Sequence, residues 1–274
     1  MSVGSRTRVN RQRVVAFVTL AWLAAACSTV RPVSDLGAVA STWVEIGPRG
    51  NAQARAVTEG TACPSLIVDG EARPMQTRAG GDDGNFPVTV CEAPLPAGTR
   101  SAIIAGQALA LPVPAPRRIL VIGDTGCRME APSDFQACND PAAWPFARVA
   151  ARAAAWRPDL VIHLGDYHYR ESPCPSGNAG CAGNPVGDNW ASWRADFFAP
   201  AAPLLRAAPW IFIRGNHEAC ARAGEGWFRF LEPRARPATC TDDTEPYVVP
   251  LTAVVLGVID SSPASDTKDR KSVV

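Results

Sequence analysis

Histidine is scarce in this chain. Three occur in 274 residues, His163, His168 and His217, and none follows position 217. No CxxC pair exists and no histidine lies in a Cys/His cluster of finger spacing, which argues against a zinc-thiolate site. There is no G-x-S-x-G elbow for serine hydrolase chemistry and no G-x-x-x-x-G-K-[ST] phosphate loop. An excess of one charge is missing too. Lys and Arg total 27 against 26 Asp and Glu, a net +1, so no broad basic field awaits nucleic acid. No internal repeat is present.

What is present is a large stock of core material. Hydrophobic residues make up 47% and charged residues 19%, enough for one large domain or two smaller ones. The first segment reads as an address. Arg6, Arg8, Arg11 and Arg13 precede the uncharged run VVAFVTLAWLAAA (14–26), which suits a signal peptide and is short for a membrane span. The run AAAC ending at Cys27 resembles a lipoprotein cleavage site. It predicts export to the periplasm or cell envelope, with a lipid anchor on Cys27. An ordinary signal peptide or an uncleaved anchor is the alternative.

Eight further cysteines form sequence-near couples: Cys63 with Cys91, Cys127 with Cys138, Cys174 with Cys181, and Cys220 with Cys240. An even number in an exported chain reads as disulfides. Short loop closure favours this local pairing and leaves other connectivities open.

Residues 28–112 hold short β-like pieces, STWVEIG, SLIVDG, FPVTVCE and SAIIAG, punctuated by Gly, Pro and Asp. They predict a small all-β domain. Residues 113–116 lie in a proline-rich linker. From 117 to 262 the pattern is α/β. Apolar runs RILVIGD (118–124), DLVIHLGD (159–166), PWIFIRGNH (209–217) and TAVVLGVID (252–260) read as strands buried on both faces. Between them, 140–157 reads as a helix capped by Asp140, and 188–208 as helical pieces broken at Pro200 and Pro203. Residues 263–274 read as a polar tail.

Three of the runs end in GDTG, GDYHY and GNHE. Sites in α/β sheets lie beyond the carboxyl ends of strands, so Asp124, Asp166, Tyr169 and Asn216 are expected on one rim. Such hard oxygen donors suit a divalent or trivalent cation. His163 reads as packing or as a support behind the ligands, Tyr167 as packing, and His168 as a loop residue that supports the ligands, faces solvent or contacts substrate. Glu218 orients His217 or lies at the surface. Arg170 and Arg214 read as solvated, with phosphate contact as the alternative. Trp144, Trp156, Trp190, Trp193 and Trp227 read as helix-to-sheet packing.

In these motifs the sequence resembles the calcineurin-like metallophosphoesterases, and within them the purple acid phosphatase-like branch. Gly126 stands where many members place a histidine, and Tyr169 stands where that branch places a tyrosinate. The resemblance covers about residues 118–262. It implies part of a metallophosphoesterase β-sandwich flanked by helices. It also implies two metal ions, iron with zinc, manganese or a second iron. Asp124 and Tyr169 would bind the first metal, Asp166 would bridge both, and Asn216 would bind the second. Asp166 and His217 would serve catalysis, His217 at the phosphate and the leaving group. The implied substrate is a phosphate monoester. A phosphodiester substrate, or a non-catalytic envelope lipoprotein on the same scaffold, are the alternatives. The family's later histidine motifs have no counterpart here, and DRKSVV (269–274) resembles a translated sequencing adapter. Both lead to the expectation of a C-terminally truncated chain.

Overall fold

The computed structural model describes residues 37–264, together with Met1, Ser2 and Gly4. The expected signal segment, Cys27 and the end of the polar tail lie outside the described residues.

Alternation builds the first half. Strands β1 (Val39–Ile46) and β2 (Ala52–Thr58) form an antiparallel pair, with β3 (Ser65–Val68), β4 (Glu71–Pro74), β5 (Gln76–Ala79), β6 (Thr89–Leu95), β7 (Ala102–Ile104) and β8 (Gln107–Ala108) after them. Successive side chains point to opposite faces. Trp43, Val57 and Val90 therefore enter one core, and their neighbours Val44, Ala56 and Cys91 enter another. The second core lies between the β1–β2–β6 part of the large sheet and a four-stranded sheet ordered β4-β3-β7-β8.

The second half adds β9 (Ile119–Ile122), a small hairpin of β10 (Met129–Glu130) and β11 (Asp134–Phe135), β12 (Leu160–His163) and β13 (Trp210–Phe212). A last hairpin pairs β14 (Tyr247–Pro250) with β15 (Val255–Val258). The helices are α1 (Phe146–Ala155), α2 (Trp190–Trp193), α3 (Ala199–Leu205) and α4 (Gly224–Phe230). The result is a mixed α/β chain dominated by sheets.

The large sheet runs β5-β6-β2-β1-β13-β12-β9. Its four last strands are mutually parallel. Strands β1, β2, β5 and β6 thus share one sheet with the α/β segment, and Trp43, Val57 and Val90 share its aromatic core. Glu45 on β1 pairs in register with Trp210 on β13. Trp43 packs against Phe198, with ring centroids 5.4 Å apart.

Two buried arginines add to this joint. Arg55 donates to the carbonyls of Phe230 and Glu232, both at 2.8 Å. Arg78 donates to the carbonyls of Phe228, Arg229, Glu232 and Arg234 and pairs with Glu92 at 2.9 Å. Arg78→Met is expected to cost about 2 to 3 kcal/mol, read by urea denaturation, because it strips four carbonyls of a charged donor and leaves Glu92 with Arg55 alone. A loss under about 0.5 kcal/mol would show that the joint does not depend on it.

Several local expectations change. The helix expected from Asp140 begins at Phe146. Pro145 disfavours helical geometry at Trp144, and Asp140 instead accepts from the Ala142 N–H at 2.8 Å in a separate turn. Pro200 and Pro203 do not break the next helix. A π-turn at Arg194–Phe198 runs directly into α3, which holds Pro200 in its first turn and Pro203 in its interior. The run at 118–124 is not buried on both faces: β9 is the sheet edge, and Val121 is 52% exposed. The run at 252–260 joins the β14–β15 hairpin and lies outside the large sheet.

Among the described residues no helix is long and apolar enough to cross a membrane. All four sequence-near disulfides form: Cys63–Cys91, Cys127–Cys138, Cys174–Cys181 and Cys220–Cys240.

Candidate metal centre

Register puts the three motifs at one level. Ile122, His163 and Phe212 are aligned across β9, β12 and β13, and each strand is parallel to its neighbour. The chain therefore leaves all three strands on the same rim. Asp124 (φ +53°) and Asp166 (φ +63°) both take the left-handed conformation, which is uncommon for residues other than glycine and clusters at functional sites. Backbone bonds hold them there. The Asp124 N–H donates to the Gly165 carbonyl at 3.1 Å, and the Thr125 N–H donates to the Asp166 carbonyl at 3.0 Å.

Glycine is required where these loops touch. A Cβ on Gly215 would lie 2.1 Å from Asp166 Oδ1. A Cβ on Gly126 would lie 2.7 Å from the Tyr169 ring and 2.8 Å from the Tyr167 carbonyl. No side chain fits at 126 while Tyr169 occupies its place, so the glycine and the tyrosine are complementary.

Three oxygens converge. Tyr169 Oη lies 2.8 Å from Asp124 Oδ1 and 3.1 Å from Asp166 Oδ2. Burial pushes the Asp166 carboxyl up, and the nearby Asp124 charge adds to it. Burial, followed by the Asp166 charge, pushes the Tyr169 phenol up as well. One phenolic proton cannot neutralise two carboxylates. A cation at this point would relieve the repulsion, so the donor set fits a hard metal ion. Asn216 opens the turn Asn216–Glu218 immediately after Gly215. That places it on the same rim.

His217 is buried against the Tyr169 ring, with centroids 3.7 Å apart. Its N–H donates to Asp166 Oδ1 at 3.2 Å. Its Nδ1 lies 2.7 Å from Glu171 Oε1, and Arg222 pairs with the same Glu171 oxygen at 2.7 Å.

Two buried carboxylates organise the rim from beneath. Glu218 is not at the surface, the alternative the sequence offers; it is buried and caps the turn that carries His217. Oε2 accepts from the N–H of Asp166 at 2.9 Å and of Gly215 at 3.2 Å. Oε1 accepts from the N–H of Tyr167 at 2.8 Å and of His168 at 3.1 Å. Burial, helped by the Asp166 charge, pushes the Glu218 carboxyl up to about 8, and its backbone donors oppose this. Asp196, on the π-turn, accepts from the N–H of Cys127 at 3.1 Å and of Tyr169 at 2.9 Å, and pairs with Arg170. The sequence reading missed Asp196, Glu171 and Arg222. The one available signal was an acid, Asp196, set beside Phe197 and Phe198 on an otherwise apolar helical face.

Other side chains are placed as follows. His163 and Tyr167 are core residues, stacked at 3.9 Å. His168 is buried, not solvent-facing, with Nε2 3.0 Å from the Gly187 carbonyl. Arg170 and Arg214 are buried as well, because each is neutralised inside the fold. Arg170 pairs with Asp196, and Arg214 with Asp242 and Asp260 at 3.1 and 3.2 Å. Trp190, Trp193 and Trp227 pack in the core, whereas Trp156 is 50% exposed. The other cluster of ligand type among the described residues is Cys220, Cys240 and Asp242, and its two sulfurs are already bonded to each other.

No curated protein matches the chain. The family model for calcineurin-like phosphoesterases matches residues 117–258, just over half of the 274 residues. That span carries all three rim motifs. This chain belongs to the calcineurin-like phosphoesterase family.

Proposed function

We propose that the chain is an exported phosphomonoesterase with a dinuclear metal centre of the purple acid phosphatase type. The observation that carries this reading is the meeting of Asp124, Asp166 and Tyr169 at one point. The fit of Gly126 against Tyr169 supports the branch, since it exchanges a side chain at 126 for a phenol at 169.

Asp124 and Tyr169 would hold one ion, Asp166 would bridge, and Asn216 would hold the second, with iron beside zinc, manganese or another iron. Such a pair supplies Lewis acidity, lowers the pKa of water and clamps phosphoryl oxygens. The protein's own part is orientation and proton transfer. Glu218 and Gly215 press Asp166 into place. His217, its ring held by Glu171 at Nδ1 and approached by Arg222 at both nitrogens, would serve the departing alkoxide. Export is supported by four disulfides, which persist in oxidising compartments, and by the leader-like sequence before Cys27.

The test is metal content by mass spectrometry on the purified chain, with hydrolysis of a monoester and a diester compared. Metal is expected, with the monoester turned over faster. Asp166→Asn should release metal and lower kcat/KM by about a hundredfold or more. A folded wild-type chain that retains no metal would sink the reading.

A further inference from the structure

The arginines that flank the rim motifs in sequence are committed elsewhere. Arg170 and Arg214 are buried in ion pairs, and Arg222 is held by Glu171. Arg128 is different. Its side chain is 41% exposed, and its guanidinium carbon stands 4.8 Å from the centroid of the Tyr169 ring. The hydroxyl of that ring touches Asp124 and Asp166.

We propose that Arg128 is the protein's phosphoryl-gripping residue, binding the non-bridging oxygens of a phosphate monoester at the rim. This rests on the metallophosphoesterase reading above.

The backbone beneath Arg128 is fixed on both sides. The Cys127 N–H is held by Asp196, and Cys127 is bonded to Cys138. The Arg128 N–H donates to Gln136 Oε1 at 3.2 Å, and its carbonyl accepts from the Gln136 N–H at 2.8 Å. The Met129 N–H donates to the Tyr169 carbonyl at 2.9 Å. The β10–β11 hairpin is therefore clamped to the segment that carries Tyr169, and the cation projects from a rigid support.

Its present anion is easily given up. Asp134 lies 3.1 Å away and is itself 61% exposed. Exposed pairs of this kind contribute little, because water screens both charges. A phosphoryl group offers more. The planar fork of a guanidinium matches two phosphate oxygens at once, and such charge-assisted bonds are among the strongest. A monoester presents one more anionic oxygen than a diester does. Arg128 is thus suited to favour monoesters.

Orthophosphate is the probe, titrated calorimetrically into the full chain reconstituted with iron and zinc. Arg128→Gln is expected to weaken its Kd by about 10- to 100-fold, in line with loss of charged hydrogen bonds. Arg128→Lys, which keeps the charge without the fork, should fall between. The same substitution should lower kcat/KM for a monoester more than for a diester. A folded Arg128→Gln protein with the wild-type Kd would overturn the inference, leaving Arg128 as a support that stacks on Tyr169. Should the glutamine variant fail to fold, the lysine variant decides by the same criterion. If the wild-type protein itself does not bind orthophosphate, the phosphoesterase reading falls and this inference falls with it. A loss of affinity confined to Arg128 variants supports both.

Discussion

Glu218→Ala is expected to be among the most damaging single substitutions in the chain, because Glu218 holds the rim through its backbone. Its two oxygens accept from four backbone N–H groups, two each, on Gly215, Asp166, Tyr167 and His168. These donors belong to two loops some fifty residues apart. Alanine would leave all four buried and unpaired. Each buried donor that loses its partner costs about 1–3 kcal/mol. Taking the low end, because water can enter the vacated volume, the loss is about 4 kcal/mol or more by guanidinium denaturation. Glutamine keeps one acceptor oxygen but turns an NH2 toward two donors, so Glu218→Gln should lose roughly half as much. Both variants should also retain less metal, because Asp166 and the Asn216 turn lose their common anchor. A Glu218→Gln protein as stable as the wild type, with full metal content, would show that the clamp is dispensable.

That clamp also marks where sequence stops being informative. The rim motifs are local: a strand, a glycine, then an Asp or Asn. Each element of that pattern can be read within a few residues, and register then aligns the three ends. The four partners of Glu218, and two of those of Asp196, are backbone amides, which no residue type advertises. Long separation hides the rest. Strand β2 lies at the middle of the sheet's first half, yet AQARAVT has little β-branched content and carries Arg55 in its centre. It is a strand because Glu45 on the facing strand stands 3.4 Å from Arg55, and the carbonyls of Phe230 and Glu232 accept from its two NH2 groups. Arg170 and Arg214 looked like surface cations for the same reason. The acids that permit their burial, Asp196, Asp242 and Asp260, lie 26 or more residues away. The proline pair at 200 and 203 was legible as a disturbance but not as a π-turn. The turn's outcome depends on Phe197 and Phe198 facing the core.

His163 should make the protein sensitive to acid, and the sign follows from its surroundings. The ring is fully buried among Tyr167, Phe197 and Trp210, with Thr125 as its polar neighbour. The Gly165 N–H points at Nδ1 from 3.3 Å, so Nδ1 is assigned as the acceptor. Nε2 then carries the proton and donates to Thr125 Oγ1 at 2.9 Å. A second proton would have to go on Nδ1, against the Gly165 N–H. Burial lowers the ring's pKa from 6.5 to about 3. The unfolded chain therefore binds the extra proton first. Stability from this group is complete above pH 6.5 and is lost as pH falls from 6.5 toward 3. The full loss is at most about 5 kcal/mol at 1.36 kcal/mol per pKa unit. Glu45 and Glu218 act in the opposite sense. Burial raises them to about 7 and about 8, so their contributions decline as pH rises above 4.5. The wild-type profile is the sum of these opposing slopes, and it must be compared with a variant to isolate one group. His163→Gln retains an amide that can donate to Thr125 but does not titrate. Its stability at neutral pH is expected to drop, whereas its slope between pH 3 and 6.5 should be shallower than the wild type's. Parallel slopes for the two proteins would show that His163 is protonated in the folded state. In that case the GDYHY loop would tolerate a positive charge one strand-end away from Asp166.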